Sequence, residues 1–437
     1  MTSANLPGEP MLTDNDSIRE VLEGVVDGYL LHNRQIVSRI DDSVVRFSGG
    51  HRKFIRRSRG WVPEPIEVEL GEKPILALGA EQDNVIGLYK HGKVYLSQYL
   101  GDTEGPKDLE FLEEALDRLL TLTSTETPDR VARDLHPGFL TSDMASDIGE
   151  ETVSVQHHKA HVGSLLAEHG LSQIVGIIMD GVGYGENGNI WGSEIISRTD
   201  SGLTRQGSLT QAYMPGGDLA TRHPARMAAG ILYPLVERGK IDDLEALIRD
   251  LGLAFPGGNE ELRITIQQLE KGLNSPLTTS AGRFLDAVSG LLGICENRTF
   301  EGEPAMKLES VARRGNPVEI ETRSVAKDSL TRLDQSDLFY KLTQLKDKRP
   351  IEDLAATAEV MLAESFADLA IEVGEREGIE TIGFSGGVAY NDEITSVIES
   401  RVNRAGMDFV TNEEVPVGDG GIALGQLYLA AEGRDWA

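Results

Sequence analysis

The sequence predicts an α/β protein with two similar lobes, and three observations carry that reading. A strand–loop–strand pattern occurs in PILALGAEQDNVIGLYKHGKVYLSQYLG from Pro74. It occurs again in IVGIIMDGVGYGENGNIWGSEIISRTDSG from Ile174. In each, a buried-type apolar run gives way to small and polar residues and then to a second strand. The third observation is IETIGFSGGVAYNDEITSVIESRV, a strand, a Gly-Gly loop and a helix in turn. The stretch before it, LAATAEVMLAESFADLAIEVGERE, has helical spacing throughout. A duplicated core with helices implies two lobes facing a cleft that binds ligand, with function to be argued from the site.

The lobes are expected at about 72–170 and 171–437, within a domain spanning 67–437. The boundary before them falls near Pro63–Lys73, where WVPEPIEVELGEKP carries three prolines that stop helices and favour extended backbone. Residues 1–66 form a separate small segment with a hairpin-like pattern: YLLHNRQIV, DDSVVRFSGG and RKFIRRSRG. That segment is too small for a robust core of its own.

Composition excludes several classes. The 437 residues are 40% hydrophobic, ample for a sizeable core. No apolar run approaches the roughly 20 residues that span a bilayer. MTSANLPGEPMLTDNDS is not a signal peptide, since it lacks a basic start and an apolar core. The single cysteine, Cys295, excludes an internal disulfide and a four-cysteine zinc site, and a cytoplasmic chain is the simple expectation. Forty-two basic against 71 acidic residues give a net charge of −29, which repels nucleic-acid phosphate. Only 13 of the basic residues are Lys. An acidic, lysine-poor surface points to high intracellular salt.

VSVQHHKAHVGSLLAEHG reads as a helix entered from a strand. His157 and His161 are four apart, so both rings share one face and can bind one metal. His158, three from His161, can substitute geometrically; a solvated helix face is the bland alternative. Further ligands must come from loops. Asp180 ends the apolar run IVGIIMD, and Asp419 sits in PVGDGGIALGQ among Gly418, Gly420 and Gly421, which let the backbone bend sharply. A turn-forming Asp is the alternative at both positions.

GFSGGVAYND offers backbone amides at a helix N-terminus, suited to an anion or nucleotide, although a plain strand-to-helix turn explains it too. SAGRFLDAVSGLLG places Gly282 and Asp286 on a helix. Asp286 can reach ribose hydroxyls or simply favour the helix dipole. FEGEPAMKLE is a further Gly turn entering a helix. Cys295, in LLGICENRTF, reads as buried packing rather than a nucleophile. RKFIRRSRG is either a solvated basic strand or an anion site.

Taken in order, MTSANLPGEP, DDSVVR, IRRSRGWVP, VQHHKAH, MDGVGYGENGNIWGSE, PGGDLA, GLNSPLTTSAGRFLDAV, FEGEPA, FSGGV and PVGDGGIALGQ resemble the C-terminal part of the HypF family. These are the carbamoyltransferases of nickel–iron hydrogenase maturation. The resemblance implies a two-lobed, TsaD-like fold of the actin-like ATPase group, preceded by the tail of a YrdC-like domain in residues 1–66. It implies a divalent metal, iron or zinc, on His157, His161, Asp180 and Asp419, and places catalysis there. It implies nucleotide contacts at Asp180, Gly181, Tyr184, Asp286, Glu303, Gly386, Gly387 and Asn391, and a partial YrdC-like pocket at Thr2, Ser3, Asn5, Arg56 and Arg57.

The family's acylphosphatase domain, zinc-finger region and complete YrdC-like domain have no counterpart in these residues. What matches is the transfer step: carbamoyl-adenylate, made from carbamoyl phosphate and ATP, gives its carbamoyl group to the C-terminal cysteine of a HypE-type partner. A separate chain carrying the missing domains is a further expected partner, and nucleic acid and membrane are not. The alternatives are a TsaD-like tRNA threonylcarbamoyl transferase, a small-molecule O-carbamoyltransferase, and a non-catalytic nucleotide-binding subunit.

Overall fold

Ile75–Ala77 and Ile174–Met179, the two apolar runs that open the repeated pattern, are each almost wholly buried. Strands covered on both faces read as unbroken apolar stretches rather than as alternation. In the computed structural model, which describes residues 4–6, 9–327 and 329–437, each run lies at the centre of its own mixed sheet. The chain divides into two units. The first takes residues up to Arg46, Lys53–Gly170 and Glu413–Ala437; the second takes Phe47–Arg52 and Leu171–Asn412.

The N-terminal segment holds a hairpin of β1 (Val44–Ser48) and β2 (His51–Arg56). Of the three stretches expected to form hairpin strands, YLLHNRQIV is not a strand; only the other two pair, across the Gly49–Gly50 turn. The hairpin tip belongs to the second unit. There the Ser48 hydroxyl lies 3.0 Å from Asn391 O, and the Gly49 N–H donates to Asp392 Oδ1 at 2.8 Å.

The first unit's sheet comprises β3 (Ile66–Glu67), β4 (Ile75–Ala77), β5 (Gly87–Lys90), β6 (Lys93–Leu96), β7 (Arg130–Asp134) and β8 (Glu151–Val155), in the order β3–β6–β5–β4–β7–β8. The second unit's sheet runs from β9 (Ile174–Tyr184) and β10 (Ile190–Thr199) through β11 (Gly202–Leu209), β12 (Ala212–Tyr213) and β13 (Leu277–Thr278). It continues with β14 (Ser324–Lys327), β15 (Leu330–Leu333), β16 (Thr381–Ser385) and β17 (Asp408–Thr411). Its main order is β14–β15–β11–β10–β9–β16–β17.

The duplication is explicit in these orders. β6–β5–β4–β7–β8 and β11–β10–β9–β16–β17 share one topology: an antiparallel three-strand meander, then two strands parallel to its first. Parallel steps need crossovers, and helices supply them, Pro106–Thr123 in the first unit and Ile351–Glu377 ahead of β16 in the second.

The sequence reading carried the second lobe through to 437. The structure instead returns Glu413–Ala437 to the first unit, where Ile422–Ala430, apolar but for Gln426, is almost wholly buried. This C-terminal helix crosses the helix His157–His169 so closely that a Cβ on Gly425 would lie 1.7 Å from Ala160 O. The tail then borders β8, with the Trp436 N–H donating to Ser154 O and the Gln156 N–H to Trp436 O. Among the described residues, no helix is long and apolar enough to cross a membrane.

Candidate metal centre and nucleotide loops

β8 runs through Gln156 straight into the helix His157–His169, and the Gln156 side chain caps that helix by accepting the Lys159 N–H. The i, i+4 spacing sets the rings of His157 and His161 on one face, with centroids 5.2 Å apart. His157 Nε2 lies 3.5 Å and His161 Nε2 3.9 Å from Asp419 Oδ1. Both histidines are buried. Behind them Asp134, the last residue of β7 and 1% exposed, places Oδ2 3.2 Å from His157 Nδ1.

These residues fit a metal. Two ligand atoms each about 2.0–2.2 Å from one ion at tetrahedral angles lie roughly 3.4 Å apart, close to the Nε2–Oδ1 distances here. A carboxylate on Nδ1 fixes the ring's tautomer and turns Nε2 toward the ion, a recurrent arrangement behind metal-binding histidines. Imidazole with carboxylate and no thiolate suits iron or zinc. His158 Nδ1 instead faces the Gln156 amide at 3.2 Å.

Asp419 opens a short 3-10 turn that leads into the C-terminal helix. The flanking glycines were expected to permit a sharp bend, yet none of Gly418, Gly420 and Gly421 has a positive φ. Gly421 instead permits close approach: a Cβ on it would lie 2.1 Å from Pro416 O. Nearby, the Tyr99 hydroxyl donates to Asp83 Oδ1 at 2.7 Å. Burial pushes the Asp83 carboxyl up; the Tyr99 bond opposes this and the Asp419 charge adds to it.

Arg56 ion-pairs with Asp41 and stacks over the Tyr99 ring, 4.2 Å from its centroid. Arg57, 4% exposed, donates to Glu64 O, and Asn5 donates to Glu9 O. These three residues of the expected YrdC-like pocket are thus held in contacts within the first unit. Thr2 and Ser3 lie outside the described residues.

In the second unit, Asp180 does not end its strand as expected. β9 continues to Tyr184, and its register against β10 breaks between the Met179–Ser193 and Gly183–Trp191 pairs. The bulge at 180–182 re-aims side chains, as bulges beside sites do. Asp180 Oδ1 accepts the Gly387 N–H at 3.2 Å, and Asp180 O accepts from the Ser280 hydroxyl at 2.9 Å. Gly386 has φ 98°, and a Cβ there would lie 2.2 Å from Met179 O, so glycine is required on both counts. The helix expected directly after this loop begins only at Asp392, after a 3-10 turn over Gly387–Tyr390.

Asp286 is fully buried, and Arg283 pairs with it at 3.1 Å. Burial pushes its carboxyl up and the guanidinium pulls it back. Glu303 opens the helix Glu303–Ala312 after left-handed Gly302. Its bonds with Lys307 and with the Thr299 amide and hydroxyl hold its carboxyl down to about 2. Asn391 caps the helix Asp392–Arg404 through the Ile394 N–H, and its Nδ2 donates to Glu359 Oε1 at 2.9 Å. Gly181 and Tyr184 both lie on β9.

Sequence reasoning missed Asp134, Glu359 and Arg283. Asp134 left a faint signal at most, as a carboxylate closing the short strand RVARD. Glu359 left none, being one acidic residue in a helix that carries several.

Two copies of one mixed sheet, with paired histidines and a carboxylate in the first, define a duplicated Kae1-like α/β protein. Residues 176–426 match the family described as "Carbamoyltransferase, Kae1-like Domain, second subdomain", 71–168 match the "HypF Kae1-like domain", and 1–58 match the Sua5/yciO/yrdC family, described as "Telomere recombination". The chain belongs to the HypF carbamoyltransferase family.

A probable carbamoyltransferase HypF of Methanocaldococcus jannaschii is 42% identical over 443 residues, covering 99% of this chain and 56% of that protein. A carbamoyltransferase HypF homolog of Cupriavidus necator is 32% identical over 82% of this chain and 91% of its own length. The crystal structure of T. kodakarensis HypF superposes with a TM-score of 0.90 at 40% identity, covering 99% of this chain and 57% of that one. A full-length HypF in its phosphate- and nucleotide-bound form gives 0.90 at 31% identity, covering 99% and 67%. The chain thus spans only 56% of the M. jannaschii relative.

Proposed function

We propose that this chain transfers a carbamoyl group from carbamoyl-adenylate to the C-terminal cysteine of a HypE-type partner, in the synthesis of hydrogenase cyanide ligands. The adenylate derives from carbamoyl phosphate and ATP. The observation that carries this reading is the meeting of His157, His161 and Asp419 with Asp134 behind them, in a chain whose relatives are named carbamoyltransferases. Asp180 is proposed as the fourth ligand. Asp180, Gly181, Tyr184, Asp286, Glu303, Gly386, Gly387 and Asn391 are proposed to line the nucleotide site, a reading supported by the similarity to the full-length HypF in its phosphate- and nucleotide-bound form.

In the transfer, the partner's thiolate attacks the carbamoyl carbon. A carbon–sulfur bond forms, the carbon–oxygen bond to the adenylate phosphate breaks, and AMP leaves with the electron pair. Negative charge grows on the carbonyl oxygen and on the departing phosphate, and a divalent iron or zinc ion held by the two histidines and two aspartates would supply Lewis-acid stabilisation there. Asp134 keeps His157 in one tautomer so that Nε2 faces Asp419. Holding the adenylate against the glycine loops fixes the line of attack. The thiol comes from the partner, because Cys295 is 4% exposed and burial pushes its pKa up.

Reconstitution tests this. Purified chain, ATP, carbamoyl phosphate and a HypE-type partner, with and without a supplied polypeptide carrying the N-terminal domains, should add one carbamoyl mass to the partner's cysteine. Cys295→Ser should transfer as well as the parent; loss of turnover in a folded variant would exclude a partner-supplied thiol. A second reading is a non-catalytic nucleotide-binding subunit that works only with a separate N-terminal chain. Transfer restricted to the supplemented reaction would select it.

A further inference from the structure

We propose that Arg283 is the phosphate-binding residue of the second unit, donating through its guanidinium to a phosphate oxygen of a nucleotide seated against Gly181. The proposal rests on the nucleotide-site reading above and adds to it a residue and a ligand group.

Four observations place the side chain. Ser280 caps the helix Ala281–Leu291, accepting the Arg283 N–H at 3.1 Å while its hydroxyl donates to Asp180 O at 2.9 Å. The Ala281 N–H donates to Ser193 Oγ. The first turn of this helix is therefore pinned to the β9 bulge and its neighbour strand. Gly282 comes so close that a Cβ on it would lie 3.3 Å from Gly181 Cα, and a Cβ on Gly181 would lie 3.7 Å from the Arg283 guanidinium. The guanidinium thus flanks the bulge that turns aside from the sheet.

Its bonding there is incomplete. Arg283 is 6% exposed, one nitrogen pairs with Asp286 at 3.1 Å, and no acceptor among the described residues reaches its Nε. A second guanidinium, Arg298, interacts with both Arg283 and Asp286, while its own ion-pair partner, Glu301, lies 3.8 Å away and is more than half exposed. The two guanidinium charges therefore repel one another, and of the pair Arg283 alone is within ion-pair distance of Asp286 among the described residues. A buried guanidinium N–H left without an acceptor is costly. A phosphate group would offset the repulsion between Arg283 and Arg298 and accept from the guanidinium's fixed fork, and a helix N-terminus next to it favours the same sign.

The test is equilibrium binding to the full chain of four probes: adenosine, AMP, ATP and inorganic phosphate. Arg283→Gln should weaken AMP and ATP by about tenfold or more and leave adenosine unchanged. Inorganic phosphate should compete with AMP in the parent and cease to do so in the variant. If AMP and adenosine weaken together, the residue is merely structural; if AMP is unchanged, Arg283 does not touch phosphate. Either result overturns the proposal while leaving the nucleotide site standing. If the parent binds none of the adenine compounds, the nucleotide reading and the proposal fall together. Should Arg283→Gln not fold, Arg283→Lys decides: it keeps the charge, loses the fork, and must still lower the ratio of AMP to adenosine affinity.

Discussion

His157 is read by two carboxylates at once, Asp134 on Nδ1 and Asp419 on Nε2, and that pairing ranks the residues of the centre. His157→Ala and Asp419→Ala should each abolish bound metal and transfer. Asp134→Asn should keep the fold and lower metal affinity about tenfold to a hundredfold, as changes behind a metal ligand do. Metal titration of the folded variants checks both; full metal content in Asp134→Asn would remove its positioning role.

Glu359 is the other residue with a measurable signature. It is fully buried, its Oε1 accepts from the Asn391 cap, and burial pushes its carboxyl from 4.5 up to about 8. A carboxyl whose pKa rises on folding stabilises the fold fully below its ordinary value, and that contribution is lost as pH climbs through the folded value. Stability should therefore fall between about pH 4.5 and 8, by on the order of a few kcal/mol from this group. Glu359→Gln keeps the acceptor and should flatten that part of the profile. Denaturant midpoints across pH measure it, and an unchanged slope would show that Glu359 does not titrate there.

Among the elements, the crossing of the helices His157–His169 and Ile422–Ala430 holds Asp419 near the histidines, and glycine makes it possible. Gly163 and Gly425 meet where neither has space for a side chain, a Cβ on Gly163 lying 2.7 Å from Gly425 O. Gly425→Ala should cost about 1–3 kcal/mol and shift Asp419 from the imidazoles. Thermal unfolding together with metal affinity reads both effects; a loss of stability alone would show that the crossing does not set the centre. The histidine helix itself was legible, because a preceding strand and a four-residue spacing are local signals. The β9 bulge was not, since a register break depends on the partner strand β10. The failed hairpin strand YLLHNRQIV shows the same limit, for an apolar stretch becomes a strand only where an edge is there to receive it.

For the whole molecule, the dominant physical fact is a charge of −29. Like charges destabilise a compact chain, and the screening length falls from about 10 Å at 0.1 M salt to about 3 Å at 1 M. Stability should accordingly rise between low and molar salt; a flat or falling melting temperature would remove the salt-adaptation reading. The amino-acid sequence by itself determined the duplicated strand pattern, the acidic surface and the inventory of histidines, aspartates and glycine loops, because periodicity, composition and capping act over a few neighbouring residues. Only the tertiary structure decided that the C-terminal segment returns to the first unit, that Asp134 stands behind His157, and that Arg283 lies against Gly181. Those juxtapositions join residues distant along the chain, and they are set by how buried helices and strands pack, which no short stretch of sequence encodes.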